Sequence, residues 1–148
     1  VGVPNHQRWM NQGKFDGGQL SKSEKDLRDF YKRLLNFTLN STALMGQYQE
    51  IHGLNRYATE GYYPEVYSYV RWSDVEKLII IANFSSEHTS HFELKIPKDV
   101  IQKWNLKDGN YTITDQLYQK SSLQLQVING DGKVQITIAP SESFIYKL

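Results

Sequence analysis

The chain has 148 residues, 39% hydrophobic and 22% charged, with a formal net charge of +1, the mix of an ordinary folded domain with room for a small appendage. Lys and Arg alternate with Asp and Glu, so no concentrated basic patch faces a phosphate backbone, and nucleic acid is not an expected partner. The longest apolar run, Leu78–Ala82, is strand-sized and far from the ~20 residues of a membrane span, while the absence of cysteine excludes disulfides and thiolate chemistry.

The chain opens at Val1, without an initiator Met and without a signal-peptide layout, so it reads as an excised piece whose targeting sequence, if any, lies upstream. Residues 1–20 are punctuated by Gly2, Pro4, Asn5, Asn11, Gly13, Gly17 and Gly18, which predicts an irregular loop. Trp9, Met10 and Phe15 within it imply that the loop is packed on something. Ser21-Lys22-Ser23-Glu24 is a capping box. Behind it Leu27, Phe30, Tyr31, Leu34 and Leu35 recur at helical spacing, forming one apolar stripe of a helix that runs to about Phe37.

After Asn40 the pattern changes. Ser41–Leu44 fits one helical turn, and Gly46 opens an extended region. Gln47–His52, Glu65–Trp72, Lys77–Phe84, Ser90–Ile96, Tyr111–Tyr118, Leu123–Val127, Lys133–Ile138 and Ser143–Leu148 read as strands, rich in Tyr, Val, Ile and Thr and bounded by turn residues. Asn129-Gly130-Asp131-Gly132 marks a hairpin. Leu78–Ala82 lacks alternation, as suits a central strand covered on both faces. About eight short strands without intervening helices imply a mainly β fold, an antiparallel Greek-key-type β-sandwich, preceded by one amphipathic helix and the irregular N-terminal loop. The expected division is residues 1–45 and 46–148.

The helix stripe must cover a surface, since burying each large apolar side chain is worth ~1.5–3 kcal/mol. A sandwich already buries its own inner faces. The stripe therefore either docks on the outside of this sandwich or serves a layer that lies outside this chain; periodicity leaves both open.

Several segments resemble the α-amylase family of glycoside hydrolases. Arg28–Leu35, followed by Ser41-Thr42-Ala43-Leu44 and Gly46-Gln47-Tyr48, is similar to the last helix of that family's (β/α)₈ barrel and its junction with the C-terminal domain, with Thr42 where Pro is frequent. Val66–Trp72, a turn, and Leu78–Ser85 resemble the family's "Tyr-x-Arg … apolar run … Asn-Phe-Ser" strand pair. Pro140 through Ser143–Leu148 resembles its closing strand, and Val1-Gly2-Val3-Pro4 the stretch beyond the eighth barrel strand. The resemblance implies that residues 1–45 end the barrel, that 46–148 form the C-terminal sandwich, and that the helix stripe packs on the barrel as its intramolecular partner.

Retaining glycoside hydrolysis needs two carboxyl groups ~5–5.5 Å apart. In the family these acids lie on earlier barrel strands, outside the matched region, so no catalytic residue is expected here and this chain is not expected to be an enzyme by itself. The resemblance implies a non-catalytic accessory domain of a retaining enzyme acting on starch or maltooligosaccharides, bacterial and periplasmic or extracellular. It also puts residues 1–20 among the loops around the active site. Trp9 and Phe15 are there to stack on a sugar, and Asn5, His6, Arg8 and Asp16 to bond hydroxyls; the alternative is that Trp9, Met10 and Phe15 only pin the loop. Trp72 and Trp104, with Tyr57, Tyr62 and Tyr63, suggest a second α-glucan site on the sandwich, the feature of a stand-alone carbohydrate-binding module. No cofactor is implied, and His88 and His91 have no third ligand for a metal. Four Asn-x-Ser/Thr matches, at Asn36, Asn40, Asn83 and Asn110, read as chance.

Overall fold

The structure, a computed structural model, describes residues 5–118 and 122–148. The family-like stretch Val1-Gly2-Val3-Pro4 and the Asn5 side chain lie outside the described residues. The chain divides into two compact units, Val1–Leu39 and Asn40–Leu148.

In the first unit, part of the expected loop is regular: α1 spans Asn5–Met10 and is followed by a 3-10 turn, Asn11–Gly13. Six residues are under two turns of helix, too short to display an apolar period among the glycines and asparagines that follow. The helix expected behind the capping box is α2, Lys22–Asn40. Ser21 and Glu24 cap reciprocally: Glu24 N–H reaches Ser21 Oγ at 3.4 Å and Ser21 N–H donates to Glu24 Oε2 at 2.8 Å.

The second unit is built on eight strands: β1 Gln47–Glu50, β2 Val66–Trp72, β3 Lys77–Asn83, β4 Ser90–Ile96, β5 Gly109–Asp115, β6 Ser122–Ile128, β7 Asp131–Ile138 and β8 Ser143–Lys147. They form one antiparallel sheet in the order β1-β2-β3-β8-β5-β6-β7-β4, curled into a half-barrel. β4 lies beside β7 and not beside β5, the Greek-key arrangement. The pairing of β8 with β5 is short, Thr114 with Lys147 and Asp115 with Tyr146. It is a narrow seam between two four-stranded halves, β1-β2-β3-β8 and β5-β6-β7-β4.

The seam lets the two halves turn their inner faces onto each other, as in a sandwich. Val66 and Val70 of β2, Ile79 and Ile81 of β3, and Tyr146 of β8 share one core with Phe92, Leu94 and Ile96 of β4, Ile113 of β5, Leu125 and Val127 of β6, and Val134, Ile136 and Ile138 of β7. These are the alternating positions of each strand. Leu78 and Ile80 are buried on the opposite face of β3, outside this core, which accounts for the unbroken apolar run. The hairpin at Asn129-Gly130 has both residues at positive φ, 51° and 81°, as a type I′ turn requires.

Two further helices interrupt the strand pattern. α3, His52–Ala58, takes over where β1 was expected to continue to His52, and α4, Lys98–Lys103, sets Val100, Ile101 and the following Trp104 into the core. α3 lies against both β2 and β4. Its buried Asn55 acts as a substitute strand partner: Asn55 Nδ2 donates to Lys95 O at 2.9 Å, and Lys95 N–H donates to Asn55 Oδ1 at 2.8 Å. A little further on, a Cβ on Gly61, at φ +78°, would stand 2.1 Å from His91 O, so the chain crosses that same edge at van der Waals contact. The open edge of β4 is thereby engaged at Lys95 and at His91.

A second buried polar group ties the junction to the sheet. The Glu76 carboxylate, in the β2–β3 turn, accepts from Ser41 Oγ at 2.6 Å and Ala43 N–H at 2.9 Å, and pairs with Lys147 Nζ at 2.8 Å. Arg71 Nη2 donates to the carbonyls of Leu44 and Gly46. These bonds place Ser41–Met45 in the second unit, so the compact unit starts somewhat before the residue-46 boundary read from the sequence. Burial by itself raises the Glu76 carboxyl, but Lys147, Ser41 and the Ala43 N–H outweigh it and hold the group at about 2.

Two outcomes follow from these buried bonds. Asn55→Ala leaves a backbone donor and acceptor of β4 unpaired, and is expected to cost ~2–3 kcal/mol in urea unfolding, with faster hydrogen exchange at the Lys95 amide as the local signature. A carboxyl depressed in the folded state contributes stability that is complete above its unfolded value and is lost as pH falls through the folded one. Wild-type stability should therefore decline between about pH 4.5 and 2. Glu76→Gln should lower stability at neutral pH by ~2–3 kcal/mol and flatten that acid decline, as read by denaturation at several pH values.

Candidate functional site

The expected sugar-contacting loop is organised by its own side chains. Arg28 of α2 lies over the Trp9 ring, its guanidinium carbon 3.5 Å from the centroid. Gly17, at φ +68°, sits against the same indole, where a Cβ would come within 2.6 Å of ring carbons. Arg8 donates to Gln19 O at 3.1 Å and pairs with Glu24 Oε1, joining α1 to the capping box. Ser21 and then Arg8 hold the Glu24 carboxyl below its ordinary value. Asp16 accepts from Asn11 Nδ2 at 2.7 Å and from Gly18 N–H at 2.8 Å, and these two bonds lower its titration.

Trp9, Arg8 and Asp16 are thus occupied in holding residues 8–24 together. Phe15 is different: its side chain is 58% exposed and its φ is +54°, a left-handed conformation in which a bulky residue is strained. The Phe15 N–H donates to Met10 O at 3.0 Å, which fixes the backbone that presents the ring. His6, on α1, is exposed as well.

On the sandwich, the two tryptophans do not form the expected exposed platform. Trp104 is 3% exposed, because α4 turns it into the core; this corrects its placement in an open loop. Trp72 is half-buried at the end of β2, on the core-facing side of that strand, with Lys103 Nζ 5.9 Å from its ring. Tyr62 is buried and bonds Ser68 Oγ at 2.9 Å, while Tyr57 and Tyr63 are exposed.

Aromatic rings do collect elsewhere, on the outer face of β1 and β2. Tyr67 and Tyr69 occupy alternate positions of β2, opposite in phase to Val66, Ser68 and Val70. Tyr48 of β1 faces Arg71 in the register and touches Tyr69, their ring centroids 5.6 Å apart. Tyr67 lies 5.9 Å from Tyr69 and 5.2 Å from His52 at the start of α3. The Tyr48 and Tyr67 hydroxyls are 3.0 Å apart. That hydrogen bond, with some burial, pushes Tyr67 up to about 12. Sequence reasoning misses this group because its members come from three elements; the period-2 phase of Tyr67 and Tyr69 is the available signal.

Several acidic side chains have structural partners, among them Asp16, Glu24, Glu76 and Asp99. The shifted carboxyls Asp16, Glu24, Glu76 and Asp99 are all lowered, the reverse of the shift a general acid needs. No group of three or more His, Cys, Asp or Glu among the described residues suits a metal ion. Asn83, one of the sequon positions, is buried, and its amide donates to His88 O at 2.8 Å and Ala139 O at 3.1 Å.

No protein-family model and no curated sequence matches the chain. Solved structures do. A variant of AmyP in complex with maltotriose matches with a TM-score of 0.59 at 20% identity, over 90% of this chain and 23% of that one. AmyP in complex with maltose matches at 0.56 and 19% identity, over 86% and 21%. An Anoxybacillus α-amylase matches at 0.54 and 16% identity, over 84% and 22%. The chain therefore spans less than a quarter of the length of these proteins, and its fold is that of a part of an α-amylase structure.

Proposed function

We propose that this chain is the non-catalytic C-terminal part of an α-amylase-type glycoside hydrolase acting on α-linked glucans. Residues 1–39 belong to the catalytic barrel in this reading, and the sandwich stabilises that barrel as its intramolecular partner.

The observation that carries the proposal is the state of α2. This 19-residue helix has no buried residue. Leu27, Tyr31, Leu35 and Leu39 are 58, 52, 63 and 82% exposed. Left in water, such a stripe forgoes ~1.5–3 kcal/mol for each side chain, and an amphipathic face of this size calls for a second layer. Further support comes from the amylase-like fold, from the small share of each amylase that the chain spans, and from carboxylates that serve as caps, turns and ion pairs. Asn5, Arg8, Trp9, Phe15 and Asp16 are proposed for the rim of the parent's active site. Among them Phe15 presents an exposed ring, whereas Arg8, Trp9 and Asp16 act through the fold of the loop.

The purified chain should release no reducing sugar from starch or maltooligosaccharides; turnover that persists through purification overturns the non-catalytic assignment. Replacing Leu27 and Leu35 by Glu should leave unfolding of the sandwich within ~0.5 kcal/mol of wild type and make the chain more soluble. A loss of ~2 kcal/mol or more would mean that the stripe is used within this chain, against a role on a catalytic barrel.

A further inference from the structure

The aromatic group on the outer face of β1 and β2 meets the core only at His52, whose Nδ1 lies 2.9 Å from Val66 O and 3.1 Å from the buried Tyr62 hydroxyl. His52, Tyr67, Tyr69 and Tyr48 form a continuous run of four rings with successive centroids 5.2, 5.9 and 5.6 Å apart. Tyr48, on an edge strand, is 51% exposed, and Tyr67 and Tyr69 are half-buried. From this arrangement we propose that the run is a surface site for a neutral α-linked glucan chain, distinct from both tryptophans.

Four features argue for that ligand class. Tyrosine offers a flat apolar face with a polar tip, the combination that suits a pyranose ring and its hydroxyls. The Tyr48–Tyr67 hydroxyl bond of 3.0 Å and the ring contacts hold the side chains in place before a ligand arrives, which reduces the entropy cost of binding. The hydroxyl of the half-buried Tyr69 makes no hydrogen bond among the described residues, so a sugar hydroxyl would give it a partner. The charges alongside balance: Glu50 and Arg71 are the register partners of Tyr69 and Tyr48 on the same face. A site with one of each sign favours an uncharged polyol over a phosphate or an acidic polymer.

The outer face of the other half differs. There Glu93 meets Gln135 Nε2 at 3.0 Å and Lys133 Nζ at 3.1 Å, Gln124 bonds Thr112 Oγ1 at 3.1 Å, and His91 bonds Thr137 Oγ1 at 2.9 Å, a polar ladder in which these residues include no tyrosine. The tyrosines are therefore a local feature of one face and not a general property of the sheet surface.

The choice of an α-linkage rests on the proposed parent activity; the location of the site does not. The test is titration of the 148-residue chain with maltoheptaose, followed by calorimetry and by NMR of the tyrosine ring protons. Saturable binding is expected, with shifts at Tyr48, Tyr67 and Tyr69. Tyr48→Ala and Tyr69→Ala should each weaken binding by about fivefold or more in protein whose circular dichroism is unchanged. Tyr48→Phe should retain most of the affinity, and Trp72→Ala should leave it unaltered. No saturable binding, shifts confined to other residues, or loss on Trp72→Ala overturns the site. Equal binding of cellohexaose overturns its assignment to α-linked chains. A negative titration leaves the accessory role standing, because that role is read from hydrolysis and from the α2 substitutions.

Discussion

The sandwich depends on closing a sheet that has only a narrow seam. β8 and β5 share two residue pairs, so the halves are held together by the apolar faces they turn toward each other and by α3 along the open side. Asn55 is the polar component of that closure. Its amide supplies one donor and one acceptor where a ninth strand would supply backbone groups, and it does so from a buried position. A curled sheet with β4 uncovered would offer unpaired N–H and C=O groups to any other chain. The close approach at Gly61 engages the same strand at His91.

The junction Ser41–Gly46 is fixed by a comparable device. Glu76 and Arg71, from the β2–β3 region, bond Ser41, Ala43, Leu44 and Gly46. Segments that resemble α-amylases at two separate places in the sequence are thus in physical contact. Ser41-Thr42-Ala43-Leu44 supplies the groups to be bound, and Arg71 of the Tyr-x-Arg strand binds them. The Asn-Phe-Ser segment forms the turn toward β4, where Ser85 N–H donates to Asn83 Oδ1 and Ser85 Oγ accepts from the Glu87 and His88 N–H groups. These motifs are local solutions to turn and junction geometry, and each is satisfied inside the second unit.

Among the described residues, two of the exposed surfaces carry a run of apolar or aromatic side chains beyond what folding of the units uses. One is the α2 stripe; the other is the tyrosine run on β1 and β2. They differ chemically. The stripe is aliphatic along most of its length, suited to packing against another layer. The run carries hydroxyls, an imidazole and balanced charge, suited to a wet, hydroxylated ligand. A packing role for the first and a binding role for the second are independent of one another.

The sequence by itself determined the strand set, the capped helix and the hairpin at Asn129-Gly130. Their signals are local: alternation, a capping box and turn residues lie within a few positions of one another. The sequence did not reveal α1, α3 or α4, because helices of six or seven residues are too short to show a repeat. β5 ends at Asp115 instead of running to Tyr118 because that carboxylate accepts the Leu117 and Tyr118 N–H groups and turns the chain. Only the tertiary structure decided which aromatics are available. Trp104 is expected from the sequence at a surface sugar site, yet α4 carries it into the core, while Tyr48, which the sequence does not single out for such a site, is left outside by its edge strand. Exposure is set by what packs against a residue from far along the chain, and a one-dimensional pattern does not contain that contact.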